Sequence, residues 1–152
     1  MAQNLPLDML AGLARTQTDD AARALGTLQT AQIGAHQKLE LLLQYRQDYS
    51  DQLQVLMQNG LPSSQWHNYR NFLATLDGAI KQQRAIAAQA ESRLDVGRSE
   101  WQHHKRRLTS FDTLAERVRQ QELMVQSKRE QRDSDERSAR KFIDRASSHS
   151  NT

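Results

Sequence analysis

The sequence predicts an all-α protein, made of two long helices that form an antiparallel coiled-coil hairpin. Three observations support this fold: a repeat of apolar residues in the second half of the chain, a matching repeat in the first half, and one short break between them. Two prolines and six glycines in 152 residues leave few places for other turns. With 37% hydrophobic residues and a mean hydropathy of -0.84, the composition suits a narrow seam better than a compact core.

The stronger repeat lies in the second half of the chain, where steps of alternately three and four residues meet mostly apolar side chains. The positions are Trp66, Tyr69, Leu73, Leu76, Ile80, Gln83, Ala87, Ala90, Leu94, Gly97, Trp101, His104, Leu108, Phe111, Ala115, Val118, Glu122 and Val125. Only Gln83, Gly97, His104 and Glu122 interrupt the pattern. A spacing of 3.5 residues sustained over this length is typical of a left-handed coiled coil. We therefore predict helix 2 over about residues 64–140.

The first half carries a second, weaker seam. One column is entirely apolar: Leu7, Ala14, Ala21, Leu28, Ala35, Leu42, Tyr49 and Leu56. Its companion column is mixed: Asn4, Ala11, Thr18, Leu25, Gln32, Leu39, Arg46 and Leu53. Asn4 is suited to cap the helix, and Pro6 is tolerated in a first turn. These columns predict helix 1 over about residues 5–57.

The break at residues 58–63 turns the chain back on itself. Asn59-Gly60 can end helix 1 in the left-handed conformation, Pro62 prevents its continuation, and Ser63 or Ser64 can cap helix 2. So short a connection makes the helices antiparallel and pairs residues whose numbers sum to about 122. Helix 2 then has no partner beyond about residue 120. We expect a single domain over residues 1–152, with a disordered tail from about residue 146.

No chemistry of catalysis or cofactor binding is evident. The chain has no cysteine and no glycine-rich phosphate loop. The adjacent His103 and His104 would point about 100° apart on a helix, which makes a poor metal site. A two-helix hairpin also offers no concave site that excludes water. We expect no enzyme activity, no cofactor and no metal site.

Apolar runs such as Leu41-Leu42-Leu43 are far too short to span a membrane, and no secretory signal is recognisable. A cytoplasmic location is therefore expected. The unpaired end of helix 2 reads as lacking an apolar face, which disfavours a membrane-surface helix.

Positive charge is concentrated in the last third of the chain. Residues 102–152 contain twelve Lys/Arg and eight Asp/Glu, whereas residues 1–101 contain nine and ten. This excess leaves a nucleic-acid-binding coiled coil as one alternative, although the interleaved acidic residues disfavour it. A self-associating structural coiled coil is a second alternative, because the edges of the seam are free to recruit another hairpin.

A second apolar stripe flanks the seam. It consists of Phe72, Ala79 and Ile86 on helix 2 and Tyr45 on helix 1, with Tyr49 reaching the same edge. In an antiparallel hairpin these flanks lie on one side. The stripe either widens the core or forms a docking face for a partner, because exposed aromatic patches lower solubility.

Several short stretches resemble members of the FliJ family, small coiled-coil proteins of the bacterial flagellar type III export apparatus. The stretches are Met1-Ala2-Gln3, Asp19-Asp20-Ala21-Ala22-Arg23, Leu25-Gly26, Tyr45 with Tyr49, Asn59-Gly60, Trp66, Asn68-Tyr69, Phe72, Thr75-Leu76, Ala79-Ile80, Trp101, Lys105 with Arg107-Leu108, and Asp135-Glu136. They occur in the expected order over most of the chain.

The resemblance implies an antiparallel coiled coil similar to the central stalk of rotary ATPases. It implies action with the export ATPase FliI, contact with the export gate FlhA, and escort of export chaperones, at the cytoplasmic face of the inner membrane. It places the gate contact at six positions: Leu42, Tyr45, Tyr49, Phe72, Leu76 and Ala79. Two neighbouring positions depart from the family pattern, with Lys38 in place of a glutamine and Gln83 in place of a histidine.

Overall fold

The computed structural model describes residues 5–150, and it confirms an all-α fold in which two long helices pack against each other as a helical hairpin. Helix α1 spans Leu5–Gln58, and helix α2 spans Ser63–His149. No strand occurs within the described range. The predicted capping residue Asn4 lies outside it.

The turn between the helices is built from the residues that the sequence singled out. The amide of Asn59 donates to the carbonyl oxygen of Val55 at 3.2 Å. The amide of Gly60 donates to the carbonyl oxygen of Met57 at 3.4 Å. Gly60 has a φ of 84°, a conformation that residues with a Cβ adopt only with strain. Helix α2 starts just after Pro62, whose carbonyl oxygen accepts the amide of Trp66 at 3.1 Å. The glycine therefore ends one helix and the proline helps to begin the next.

Helix α2 is longer than the sequence predicted. It continues past residue 140 to His149, through residues that were expected to be disordered. Side-chain hydroxyls accompany this last turn: Ser147 donates to the carbonyl oxygen of Asp144, and Ser148 donates to that of Arg145, both at 2.9 Å. Each bond adds a side-chain donor to a carbonyl group of the preceding helical turn. Residues 151–152 lie outside the described range.

The residues group into two compact units. The unit that contains the turn, here called the turn unit, is Thr16–Lys105. The other, here called the terminal unit, combines Met1–Arg15 with Arg106–Thr152.

The core of the turn unit follows the two predicted seams. Its buried apolar residues are Ala35, Leu76, Ile80, Ala87 and Leu94, with exposed fractions of 3–9%. Each belongs to a seam column. The seam also buries three positions that break the apolar pattern, Thr18, Gln83 and Gly97. The helices pair as predicted, because Gln83 bonds to Ala35 and the space beside Gly97 is filled by Leu28.

In the terminal unit, a short seam joins the start of α1 to α2. Ala11 and Ala14 are buried, and Phe111 is half-buried. An ion pair between Arg15 and Asp112, 3.7 Å apart, lies beside them. All residues from 121 to 150 are exposed. This agrees with the prediction that α2 loses its partner near residue 120, because little of α1 remains to cover it.

Candidate partner-binding site on the turn unit

Three aromatic rings join the two helices near the turn. The ring centroid of Tyr49 on α1 lies 4.4 Å from that of Phe72 and 4.9 Å from that of Tyr69, both on α2. The interplanar angles are 45° and 38°, so the rings are tilted against each other. Tilted aromatic pairs contribute about 0.5–1.5 kcal/mol beyond the area that they bury. This aromatic cluster of Tyr49, Tyr69 and Phe72 therefore fixes the two helices at this level.

The six positions that the resemblance assigned to the gate contact differ in how much surface they offer. Tyr45 is 55% exposed and Phe72 is 45% exposed. Leu42, Tyr49 and Ala79 are half-buried, and Leu76 is buried. Leu76 thus stabilises the seam, while Tyr45 and Phe72 carry most of the ring surface open to a partner.

Tyr45, Tyr49 and Phe72, here called the aromatic patch, lie where the two helices meet, as the predicted stripe required. Phe72 contacts Tyr49, and Tyr45 lies one helical turn before Tyr49 on the same helix. The two interpretations of the stripe therefore apply to different residues. Tyr49 widens the core, whereas Tyr45 and Phe72 remain available for docking.

Sequence reasoning did not include Tyr69 in the patch. The pairing rule placed it opposite Leu53, but its ring contacts Tyr49, one turn away along α1. The sequence could have indicated this contact, because a tyrosine side chain is long enough to reach a diagonal neighbour on the other helix as well as the residue opposite. Tyr69 supports the patch from the seam side.

The opposite flank of the turn unit is charged. Arg46 Nε donates a short hydrogen bond to Asp77 Oδ1, which joins α1 to α2. This hydrogen bond, and the carboxylate charge, raise the pKa of Arg46 above its ordinary value. The hairpin therefore has an aromatic flank and a charged flank at nearly the same level.

Helix α2 also carries an apolar stripe that sequence reasoning missed. Phe142 is 75% exposed and Ile143 is 63% exposed. With Ala139 and Ala146 they follow the i, i+3, i+4, i+7 spacing of one helix face. The statement that this end lacks an apolar face is thus wrong. The stripe spans only about two helical turns and follows a long run of polar and charged residues after Val125, so the spacing of apolar residues along the chain did not reveal it.

The described residues include no group of three or more His, Cys, Asp or Glu side chains arranged to hold a metal ion. The helices described here also contain no segment with the length and hydropathy to cross a bilayer. The aromatic patch can therefore bind a partner through its exposed rings, which the two packed helices hold in place.

Comparison with known proteins gives a consistent result. The family model for "Flagellar FliJ protein" matches residues 3–147. The chain is 35% identical to the flagellar FliJ protein of Salmonella typhi over 136 residues, which cover 90% of this chain and 92% of that protein. It is 33% identical to the flagellar FliJ protein of Escherichia coli strain K12, again over 136 residues that cover 90% of this chain and 92% of that protein. A match over nearly the whole length, together with the two-helix fold, shows that this chain belongs to the FliJ family of flagellar proteins.

Proposed function

We propose that the chain is a non-enzymatic coupling component of the bacterial flagellar protein export machinery. In this role it links the export ATPase FliI to the export gate FlhA and escorts export chaperones. The family membership supports a flagellar role. The observation that carries the proposal furthest is the pair of exposed rings, Tyr45 and Phe72, held beside the aromatic cluster.

The gate contact is assigned to the aromatic patch on energetic grounds. Large rings that lie in solvent become favourable contacts when a partner covers them, and aromatic residues are enriched among those that dominate binding energy. Because Tyr49 locks Phe72 against α1, little side-chain freedom is lost on docking. Leu42 and Ala79 form the half-buried border of the same surface.

The ATPase contact is assigned to the terminal unit. There, α2 continues for many residues without covering from α1, and residues 121–150 are all exposed. The positive charge of the chain is concentrated in residues 102–152. An exposed helix of this length is suited to insert into a partner protein.

Contact with the gate would hold the protein at the cytoplasmic face of the inner membrane.

The gate contact is tested with a double variant, Tyr45→Ala with Phe72→Ala, and the purified cytoplasmic part of the cognate FlhA. Binding to FlhA is expected to fall by about tenfold or more, equivalent to about 1.4 kcal/mol. Because Phe72 also contacts Tyr49, the double variant is expected to lose about 1 kcal/mol of unfolding free energy but to remain folded by circular dichroism at the temperature of the binding assay. The matched control is Ile33→Ala with Val96→Ala, two apolar residues of similar exposure elsewhere on the turn unit.

Unchanged FlhA binding by the double variant would overturn the gate assignment. If the double variant instead melts early and binds poorly, a milder pair, Tyr45→Ser with Phe72→Leu, separates folding from docking.

The ATPase contact is tested by pull-down of the cognate FliI with the full chain and with a chain that ends at residue 120. The shortened chain is expected to lose the ATPase and to keep FlhA. Retention of FliI by the shortened chain would contradict the assignment of this end.

A further inference from the structure

The charged flank of the turn unit contains a groove that the aromatic patch does not use. It is lined by Leu43, Arg46, Asp77, Ile80, Lys81 and Arg84 and has a volume of about 370 Å³. Leu43 lies two residues before Tyr45, so on a helix the two side chains point to nearly opposite flanks of α1. The groove is therefore a separate surface of the hairpin, here called the cationic groove.

One of its three cations is already neutralised. Arg46 is held by Asp77 through the short hydrogen bond described above. This pair fixes one side of the groove and joins α1 to α2.

The other two cations have no such partner. Within residues 5–150, no carboxylate lies within 4.0 Å of the charged nitrogens of Lys81 or Arg84. The two residues are three apart on α2, so their side chains lie on the same face of the helix. The groove therefore carries two positive charges that no ion pair among the described residues neutralises.

Apolar side chains lie between these charges. Ile80 is 6% exposed and forms the floor, and Leu43 is 37% exposed and forms a side wall. A ligand that only supplied negative charge would leave Leu43 in water. A ligand that also buries an aliphatic side chain against it gains roughly 25 cal/mol per Å² of apolar surface covered.

We propose that the cationic groove binds an acidic amphipathic helix of a partner protein. Acidic residues three or four apart on one helix have Cβ atoms about 5–6 Å from each other and so project from one face, as Lys81 and Arg84 do on α2. A Leu or Ile beside them on the same helix would pack on Leu43, which is the helix-in-groove mode of recognition. A nucleic-acid backbone matches the charges but offers no aliphatic group for Leu43. The hairpin then presents two distinct docking flanks at one level.

The probe for this proposal is a fluorescently labelled helical peptide of about 20 residues, an Ala/Gln host with Glu at two positions four apart and one Leu on the same face. Binding to the full chain is measured by fluorescence anisotropy at low and at physiological salt. Two matched peptides replace the glutamates by Gln or the leucine by Ser. We expect the wild-type chain to bind the parent peptide and to bind both matched peptides about tenfold more weakly.

The protein variants are Lys81→Glu with Arg84→Glu, which reverses the groove charge, and Leu43→Ser, which removes its wall. Each is expected to weaken binding of the parent peptide by about tenfold. The control is Arg93→Glu with Arg137→Glu, which makes the same change in net charge at two exposed residues that do not line the groove. Circular dichroism confirms that each variant keeps its helices.

Three results would overturn the proposal. The first is no binding of the parent peptide by the wild-type chain. The second is equal binding of the parent and Leu-to-Ser peptides, since the groove would then act as a simple ion exchanger. The third is tighter binding of a short DNA duplex that is lost in the charge-reversed variant, because the groove would then be a phosphate site.

Discussion

Gln83 on α2 donates a hydrogen bond from Nε2 to the carbonyl oxygen of Ala35 on α1, 3.0 Å away, although its side chain lies inside the apolar seam. Gln83 is 4% exposed and Ala35 is 9% exposed. A buried polar residue in a coiled coil favours an alignment in which it is hydrogen-bonded, and the small Ala35 side chain lets Gln83 reach the α1 backbone. This bond therefore helps to set which residues face each other.

The Gln83 bond predicts different results for two substitutions. Gln83→Ala should lower the free energy of unfolding by about 1–3 kcal/mol, because it removes the hydrogen bond and leaves a void. Gln83→Leu should change it by less than about 1 kcal/mol, because no buried donor remains and the volume is kept. Urea unfolding followed by circular dichroism measures both. A large loss for Gln83→Leu would contradict the assignment of this residue to alignment rather than to stability.

Gly97 and Leu28 form a close contact that predicts a position-dependent effect of alanine. A Cβ atom at Gly97 would lie 2.5 Å from Leu28 Cδ1, whereas a Cβ at Gly78 would meet nothing within 4 Å. Gly78→Ala should therefore stabilise the protein by about 1 kcal/mol through helix propensity. Gly97→Ala should lose most or all of that gain, because Leu28 must move. Combining Gly97→Ala with Leu28→Val should recover part of it, and equal melting temperatures for the two alanine variants would refute the contact.

Tyr49 and Tyr45 are predicted to separate stability from binding. Tyr49→Ala should cost about 2 kcal/mol of unfolding free energy, since its ring contacts both Tyr69 and Phe72. Tyr45→Ala should change stability by less than about 0.5 kcal/mol, because the side chain is mostly exposed. Thermal and urea melts distinguish them. Equal losses would mean that both tyrosines are core residues and that the docking patch is smaller than proposed.

His104 is predicted to be a destabilising residue within its seam. Its Nδ1 atom is buried and has no hydrogen-bond partner within the described residues. An unpaired buried polar atom costs about 1–3 kcal/mol, so His104→Leu should raise the free energy of unfolding by about 1 kcal/mol. His103→Leu on the exposed neighbour is the control. If His104→Leu destabilises the protein, then Nδ1 has a partner in solution.

The exposed end of α2 predicts that its removal leaves the paired helices intact. A chain that ends at residue 120 should keep the midpoint of its thermal transition, because residues 121–150 are all exposed and bury little. Its helical circular dichroism signal should fall in proportion to the residues removed. In the full chain, amide hydrogens of residues 121–149 should exchange with solvent far faster than those around Leu76 and Ile80. A lower transition midpoint after truncation would show that this end contributes to the core.

Much of the fold could be read from the spacing of apolar residues. The two seam columns are the positions that lose solvent exposure in both units, and the turn uses Asn59, Gly60 and Pro62 as expected. The end of α2 was placed too early, because low apolar content was taken as a sign of disorder. Helix propensity and alternating charges favour a helix there without a packed face.

The candidate site was predictable in position but not in detail. The flank with Tyr45 and Phe72 followed from helical spacing, whereas the contact between Tyr49 and Tyr69 and the pair of Arg46 with Asp77 did not. Side chains of this length reach several neighbours across the seam. Spacing along one helix gives the direction of a side chain and leaves its partner on the other helix open.

The sequence by itself determined two helices, where they turn, and which face of each is covered, because these depend on local backbone chemistry and on the periodicity of apolar residues within one segment. The tertiary structure decided which atoms meet across the seam. It selected Ala35 as the partner of Gln83, filled the space beside Gly97 with Leu28, and placed no carboxylate of residues 5–150 within ion-pair distance of Lys81 or Arg84. Those choices depend on side-chain rotamers and on the close approach of two segments distant in the chain, which periodicity does not specify.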